Sequence, residues 1–161
     1  EYWNNPAATK DKFRTAPDGS RWLLTGDRGI MEDGFIRFVG RDDDVITSAG
    51  YRIGPAEIED CLITHEAVAQ AGVVGKPDPQ RTEIVKAYIV LKSGHAPSPE
   101  LTESLQGHVK TRLAAYEYPR EIEFLDALPM TVTGKIIRKE LRARAIAETN
   151  RHDVTETRES A

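Results

Sequence analysis

The sequence predicts an α+β fold, a small mixed sheet with flanking helices preceded by β-hairpin segments. Three observations lead there. Val85, Ala87, Ile89 and Leu91 alternate on one face of an apolar strand. Two amphipathic segments each open on a proline suited to a first helical position, Pro55 and Pro99. Strands and helices follow one another in mixed order rather than as regular βα repeats.

Taken in order, residues 1–20 are rich in turn formers, Asn4-Asn5-Pro6 and Pro17-Asp18-Gly19-Ser20, and show little periodicity. Arg21–Thr25 and Phe35–Val39 read as strands. Glu32-Asp33-Gly34 is the turn between residues 26–31 and the second of them, so a β-hairpin is expected. Val45-Ile46-Thr47 and Tyr51-Arg52-Ile53 flank a tighter turn at Ser48-Ala49-Gly50. From Pro55, the apolar residues Ile58, Cys61 and Leu62 recur at helical spacing to about His65. Ala71–Val74 and Ile84–Leu91 are expected strands around a turn at Lys76-Pro77-Asp78-Pro79. Ser98 reads as an N-cap before a helix with Leu101, Leu105, Val109 and Leu113 on its core face. Ile122 and Phe124 mark a last strand, Arg138 to about Ala147 a short basic helix, and residues 148–161 a polar tail expected to be disordered.

Composition narrows the classes. A chain of 161 residues with 39% apolar and 30% charged residues can bury one usable core. A net charge of −4 gives no broad electrostatic reason to expect nucleic acid or an anionic membrane as partner. No apolar run is long enough to span a bilayer and no signal-peptide pattern opens the chain, so a cytoplasmic setting is expected. Cys61 is the single cysteine, which excludes an internal disulfide and a multi-cysteine zinc site, and it reads as a small buried thiol. His65, His95, His108 and His152 show no paired ligand spacing, so no protein metal site is expected. The chain opens on Glu1 in what reads as the middle of a motif, and it is expected to be a piece of a larger polypeptide.

Near the far end, Leu128-Pro-Met-Thr-Val-Thr-Gly-Lys-Ile-Ile-Arg138 sets a lysine after a glycine. It is not a P-loop: Pro129 stands where the first glycine belongs, and Ile136 replaces the Ser or Thr that would hold magnesium. Taken alone, Lys135 is better explained by an exposed turn.

Its companions change that. Thr25-Gly26-Asp27, the run from Gly40 to Glu59 (GRDDDVITSAGYRIGPAEIE) and Pro129–Lys135 closely resemble the late motifs of the adenylate-forming acyl-CoA synthetases. The resemblance runs from Tyr2 to about Ala145. Gly50–Pro55 and Tyr118-Pro119-Arg120 look most like the medium-chain enzymes, with acetyl-CoA and aryl-CoA ligases close behind. The resemblance implies that residues 1–42 end a large N-terminal domain and that 43–147 form the small mobile C-terminal domain. It also implies the chemistry. A carboxylate attacks the α-phosphorus of ATP to give acyl-AMP and pyrophosphate, then the thiol of coenzyme A takes the acyl group and AMP leaves. Magnesium would be held mainly through the ATP phosphates and the large domain.

Residue by residue, the resemblance makes Asp27 and Arg41 the ribose ligands, as an acceptor-only carboxylate and a donor-only fork suit two hydroxyls. Asp43 falls on the hinge about which the small domain rotates between half-reactions. Ala49, Gly50 and Tyr51 line the pantetheine tunnel, and Arg52 reaches a phosphate or the acyl carboxylate. Arg81, Tyr118, Pro119 and Arg120 contact coenzyme A. Lys135 becomes the catalytic lysine, brought to the α-phosphate by domain closure. This piece alone is expected to be inactive.

Two other classes stay open on residues alone. One is a non-enzymatic interaction or regulatory module on the same scaffold. The other is RNA binding, weakened by the lack of stacking aromatic pairs; the basic cluster Lys135, Arg138, Lys139, Arg142 and Arg144 reads more simply as a solvated helix.

Overall fold

The structure, a computed structural model, describes residues 1–159. Side chains are described through Asn150, Val39 excepted. The chain divides into two compact units between Asp43 and Asp44, one residue beyond the boundary expected from sequence.

The first unit opens with a helix the sequence reading did not contain, α1 (Pro6–Lys12). Asn5 caps it by accepting the Ala8 N–H at 3.0 Å, and Pro6 takes a first-turn position. At seven residues it is too short to display a periodic stripe. β1 (Phe13–Thr15) pairs antiparallel with β2 (Arg21–Leu23), which is therefore not a partner of the strand at Phe35. That partner is β3 (Asp27–Glu32), paired with β4 (Phe35–Arg41) through the Asp33-Gly34 turn. Both turn residues have positive φ, 49° and 82°, the mirror-image geometry that suits strand twist. Trp22, Met31, Phe35, Ile36 and Phe38 are exposed, since two small hairpins have no second layer to cover them.

The second unit holds β5 (Ile46–Ser48), β6 (Tyr51–Ile53), α2 (Pro55–Ile63), β7 (Val68–Asp78), β8 (Thr82–Leu91), α3 (Pro99–Lys110), β9 (Glu121–Phe124) and α4 (Arg138–Glu159). β8 is central. β7 lies on one side of it; on the other, β5 meets its start at Ser48–Thr82 and β9 runs parallel to it over Lys86–Ile89. The expected α+β class with a mixed sheet is what the chain adopts.

Alternation along β7 and β8 sends neighbours to opposite faces. Val73, Val85, Ala87 and Ile89 join Ile58, Leu62, Leu105 and Val109 in one buried cluster under α2 and α3. Val74 and Tyr88 meet Leu128, Leu141 and Ala145 under α4 in a second. Each fully buried large side chain contributes roughly 1.5–3 kcal/mol of transfer free energy. Gly72 lets α4 come close, as a Cβ there would lie 2.8 Å from Leu141 Cδ1.

Two segments differ from expectation. Lys76-Pro77-Asp78 continues β7 instead of turning, and the turn is Pro79–Arg81. β7 is an outer strand, so the N–H that Pro77 lacks can face away from the ladder. The last helix does not stop near Ala147 but runs to Glu159; residues 160–161 of the expected tail lie outside those described. Ion pairs hold its middle: Glu148 and Arg144 join Lys86, Lys76, Glu121 and Glu123 in one cluster, with Lys76 Nζ 2.7 Å from Glu121 and Lys86 Nζ 2.9 Å from Glu123. Burial alone would lower the Lys86 ammonium, but its bonds to Glu148 and Glu123 outweigh this and hold it above its ordinary value. Burial pushes the Tyr88 phenol beside it up to about 12.

Candidate functional site

The loop that carries Lys135 is a small closed hairpin. Met130 and Ile136 form an isolated antiparallel bridge, Thr131 N–H donates to the Lys135 carbonyl at 2.8 Å, and Ile137 N–H donates to that of Pro129 at 2.8 Å. The Thr131 hydroxyl accepts the Lys135 N–H at 3.0 Å. Gly134 makes the turn possible at φ +78°, a left-handed conformation that costs other residues about 1 kcal/mol. Leu128 and Ile136 root the loop in the cluster under α4. Lys135 itself is exposed, and its ammonium has no ion-pair partner among the described residues.

The basic helix beside it is not simply solvated. Arg138 lays its fork on Glu59 of α2, Nε to Oε1 at 3.2 Å and Nη2 to Oε2 at 2.5 Å. Its Nη1 lies 3.6 Å from Asp44, which also accepts from Arg142 at 2.9 Å, and Arg144 pairs with Glu123. Only Lys135 and Lys139 of the five stay outside these pairs. Glu59 is buried and its Oε1 also accepts the Val73 N–H at 2.8 Å. Burial lifts this carboxyl above its ordinary value, opposed by the Val73 and Arg138 bonds.

A second set of side chains converges elsewhere on the same unit. Ala49 and Gly50 form the β5–β6 turn with φ of +49° and +86°. A Cβ on Gly50 would meet nothing within 4 Å, so the turn presents bare backbone to open space. Ala49 N–H donates to the Arg81 carbonyl at 2.9 Å, which ties this turn to the one between β7 and β8. Arg52 is exposed on β6. Tyr51 stacks on Tyr116, with centroids 4.0 Å apart and planes within 9°. Tyr116 brings with it Tyr118, buried Pro119 and exposed Arg120. Lys110 Nζ lies 4.0 Å from the Tyr118 ring centroid, a cation–π distance. Thus the structure gathers Ala49, Gly50, Tyr51, Arg81 and the 118–120 loop, and adds Tyr116 and Lys110, which sequence reasoning missed. The Tyr-x-Tyr spacing at 116 and 118 was the available signal.

Glu83 orients the hairpin. Its Oε2 accepts the Thr47 N–H at 2.7 Å, and Gly75 leaves the carboxylate room. A Cβ on Gly75 would lie 2.5 Å from Glu83 Oε1, so the carboxylate must leave Thr47. We expect Gly75→Ala to destabilise the chain by about 0.5–1.5 kcal/mol, the net range for one hydrogen bond. Denaturation midpoints check it: the cost should shrink in a Glu83→Ala background, and equal costs in both backgrounds would refute the clash.

In the first unit, Asp27 and Arg41 are register partners at one end of the β3–β4 hairpin. Arg41 Nη1 lies 3.7 Å from Asp27 Oδ1, and its Nε donates to Asp43 at 3.1 Å. The pair sets an exposed acceptor-only carboxylate beside an exposed donor-only guanidinium. Asp43 sits in the turn that ends this unit.

Cys61 packs partly buried against the core, and burial pushes its thiol up. His65 and His108 meet edge to face at 5.2 Å and bond to Ser104 and Thr64, a structural role. Among the described residues no group of three or more His, Cys, Asp or Glu could hold a metal ion.

Residues 57–135 match the model of the AMP-binding enzyme C-terminal domain. The chain is 52% identical over 145 residues to the human mitochondrial acyl-coenzyme A synthetase ACSM2B, covering 88% of this chain and 24% of that protein. It is 50% identical over 142 residues to the acetyl-coenzyme A synthetase of Bacillus subtilis, with the same two coverages. Among solved structures, the anthranilate CoA ligase AuaEII in complex with anthranoyl-AMP superposes with a TM-score of 0.81 at 37% identity, over 93% of this chain and 28% of that one. A Brucella canis acyl-CoA synthetase is 52% identical with a TM-score of 0.65, over 81% and 24%. The chain thus spans about a quarter of the length of these relatives. On the matched domain, the shared fold and this level of identity, the chain belongs to the adenylate-forming acyl-CoA synthetase family and carries its C-terminal domain.

Proposed function

We propose that the polypeptide carrying this chain is an AMP-forming acyl-CoA synthetase for a medium-chain or other small carboxylic acid. One observation carries the reading. A single small domain presents two separate chemical sets: an unpaired ammonium on a loop rooted under α4, and an open glycine turn with aromatic and cationic neighbours, whose flanking Ile46, Ile53 and Tyr118 are rooted in the opposite core cluster. Such a domain can serve two steps by turning a different side to the substrate.

In the first step, Lys135 places positive charge at the α-phosphate of ATP while Asp27 and Arg41 hold the ribose. In the second, rotation about Asp43 withdraws Lys135 and brings Gly50, Ala49 and Tyr51 to the pantetheine arm. Arg52 then faces a phosphate or the acyl carboxylate, while Arg81, Tyr118, Pro119 and Arg120, joined by Tyr116 and Lys110, hold the nucleotide end of coenzyme A. Magnesium, held through the ATP phosphates and the large domain, would neutralise charge on the departing pyrophosphate. The exposed apolar side chains of the first unit, Trp22, Phe35, Ile36 and Phe38 among them, are what the rest of a large domain would cover. No helix among the described residues is long and apolar enough to cross a membrane, and a cytoplasmic setting is our reading.

The test supplies the polypeptide that includes the large domain with ATP, magnesium, coenzyme A and, in turn, acetate, hexanoate or benzoate. Stoichiometric AMP and acyl-CoA with at least one acid are expected. Neither product with any acid would favour the interaction-module reading, and AMP without thioester would keep the adenylation step but overturn transfer to coenzyme A.

A further inference from the structure

The bridge formed by Arg138 joins parts of the domain that are otherwise held apart by the sheet. α4 and the lysine loop pack on one face, α2 on the other, and β7 is the outer strand between them. Val73 of β7 gives its N–H to Glu59 of α2 rather than to the ladder, and Arg138, three residues after Lys135, closes over that same carboxylate. The third guanidinium nitrogen of Arg138 lies 3.6 Å from Asp44, the first residue of the second unit. One planar cation therefore connects the base of the lysine loop, helix α2 and the segment at which the domain begins. A lysine could not make all three contacts, because only the guanidinium fork reaches two acceptors in fixed directions.

We infer that Arg138 is a positioning residue for the adenylation step, and that through Glu59 and Asp44 it makes the loop bearing Lys135 move as one body with the domain. This inference rests on the function proposed above. The loop has its own internal bonds, which keep its shape. Those bonds leave its direction open. At its C-terminal base the direction is set by Ile136 in the apolar cluster and by Arg138, and apolar packing alone tolerates small rotations that a bidentate ion pair resists. Displacing a catalytic ammonium by about 1 Å is enough to cost on the order of a hundredfold in rate. The thioester step uses a different side of the domain, so it does not depend on this alignment.

The test uses the polypeptide with its large domain in four forms: parent, Arg138→Gln, Lys135→Ala and the double variant. Each is assayed for ATP–pyrophosphate exchange with the best of the three acids, and for thioester production from coenzyme A and the corresponding supplied acyl-AMP. Arg138→Gln should lower the exchange kcat by about ten- to a hundredfold and leave thioester production within about threefold. Because it acts through Lys135, its effect on exchange should fall below about threefold once Lys135 is alanine. Glu59→Gln, which keeps an acceptor for the Val73 N–H, should give the same selective loss in milder form and covers the case in which Arg138→Gln folds poorly. Equal losses in both assays, or an Arg138 effect that persists undiminished without Lys135, would make the bridge a stability device and overturn the inference. Parent-like exchange in Arg138→Gln beside a selective Lys135→Ala defect would overturn it alone. Intact exchange in Lys135→Ala would overturn the proposed role of Lys135 and the inference with it.

Discussion

Lys135→Ala, in the polypeptide that includes the large domain, is expected to slow acyl-AMP formation by at least about a hundredfold, the scale for removing one preorganised charge from a transition state. The thioester step should survive. Lys135 is exposed and outside every ion pair described here, so its removal takes away no internal contact of the ammonium. The loop keeps its shape without it, since the bonds that close the hairpin come from backbone groups and the Thr131 hydroxyl. Pyrophosphate exchange from ATP and carboxylate, set against thioester production from supplied acyl-AMP, measures the two steps on one protein. A comparable loss in both would mean that Lys135 serves both orientations, and the division of labour would fall.

Gly50→Leu should do the reverse: acyl-AMP accumulates, and thioester formation falls by at least about tenfold as the pantetheine passage is obstructed. The glycine has φ +86°, so leucine also brings backbone strain of roughly 1–2 kcal/mol to the β5–β6 turn. Gly50→Asn separates the two causes, because asparagine tolerates the left-handed region yet still adds a side chain. Both variants should lose thioester formation, with asparagine showing little loss of thermal stability. Thioester formation that tracks the melting midpoint instead of side-chain size would reduce Gly50 to a turn former.

Elements whose reasons are local were legible in the sequence. Pro55 and Pro99 announce α2 and α3, and Ser98 caps the latter by accepting the Leu101 N–H at 3.1 Å. Alternation identifies β8. What escaped depends on distant partners. Pro77 reads as a breaker until β7 is known to be an outer strand. Residues 148–159 read as tail, since their polar composition hides the ion pairs that Glu148 makes with Lys86 and Lys76. The site divides likewise. Gly50 and Lys135 stand in compact motifs, whereas Arg138 reads as one more surface cation because its partner Glu59 lies 79 positions away. For Tyr116 the only local signal is its spacing from Tyr118, and its place in the site follows from the stack with Tyr51.

The pairing of Asp44 with Arg142, 98 positions apart, also bears on the order in which the domain is made. A chain leaves the ribosome N-terminus first, at about 5–20 residues per second. The β7–β8 hairpin closes from neighbouring residues soon after it emerges, but α4 comes last and from far away. Until then the Asp44 and Glu59 carboxylates wait without their arginines, and Val74, Tyr88 and Leu128 lack the cover of Leu141 and Ala145. Without α4, the sheet face that carries Val74 and Tyr88 is bare, an apolar surface suited to a chaperone. A chain cut before Arg138 lacks Leu141 and Ala145, and with them the cover of that face.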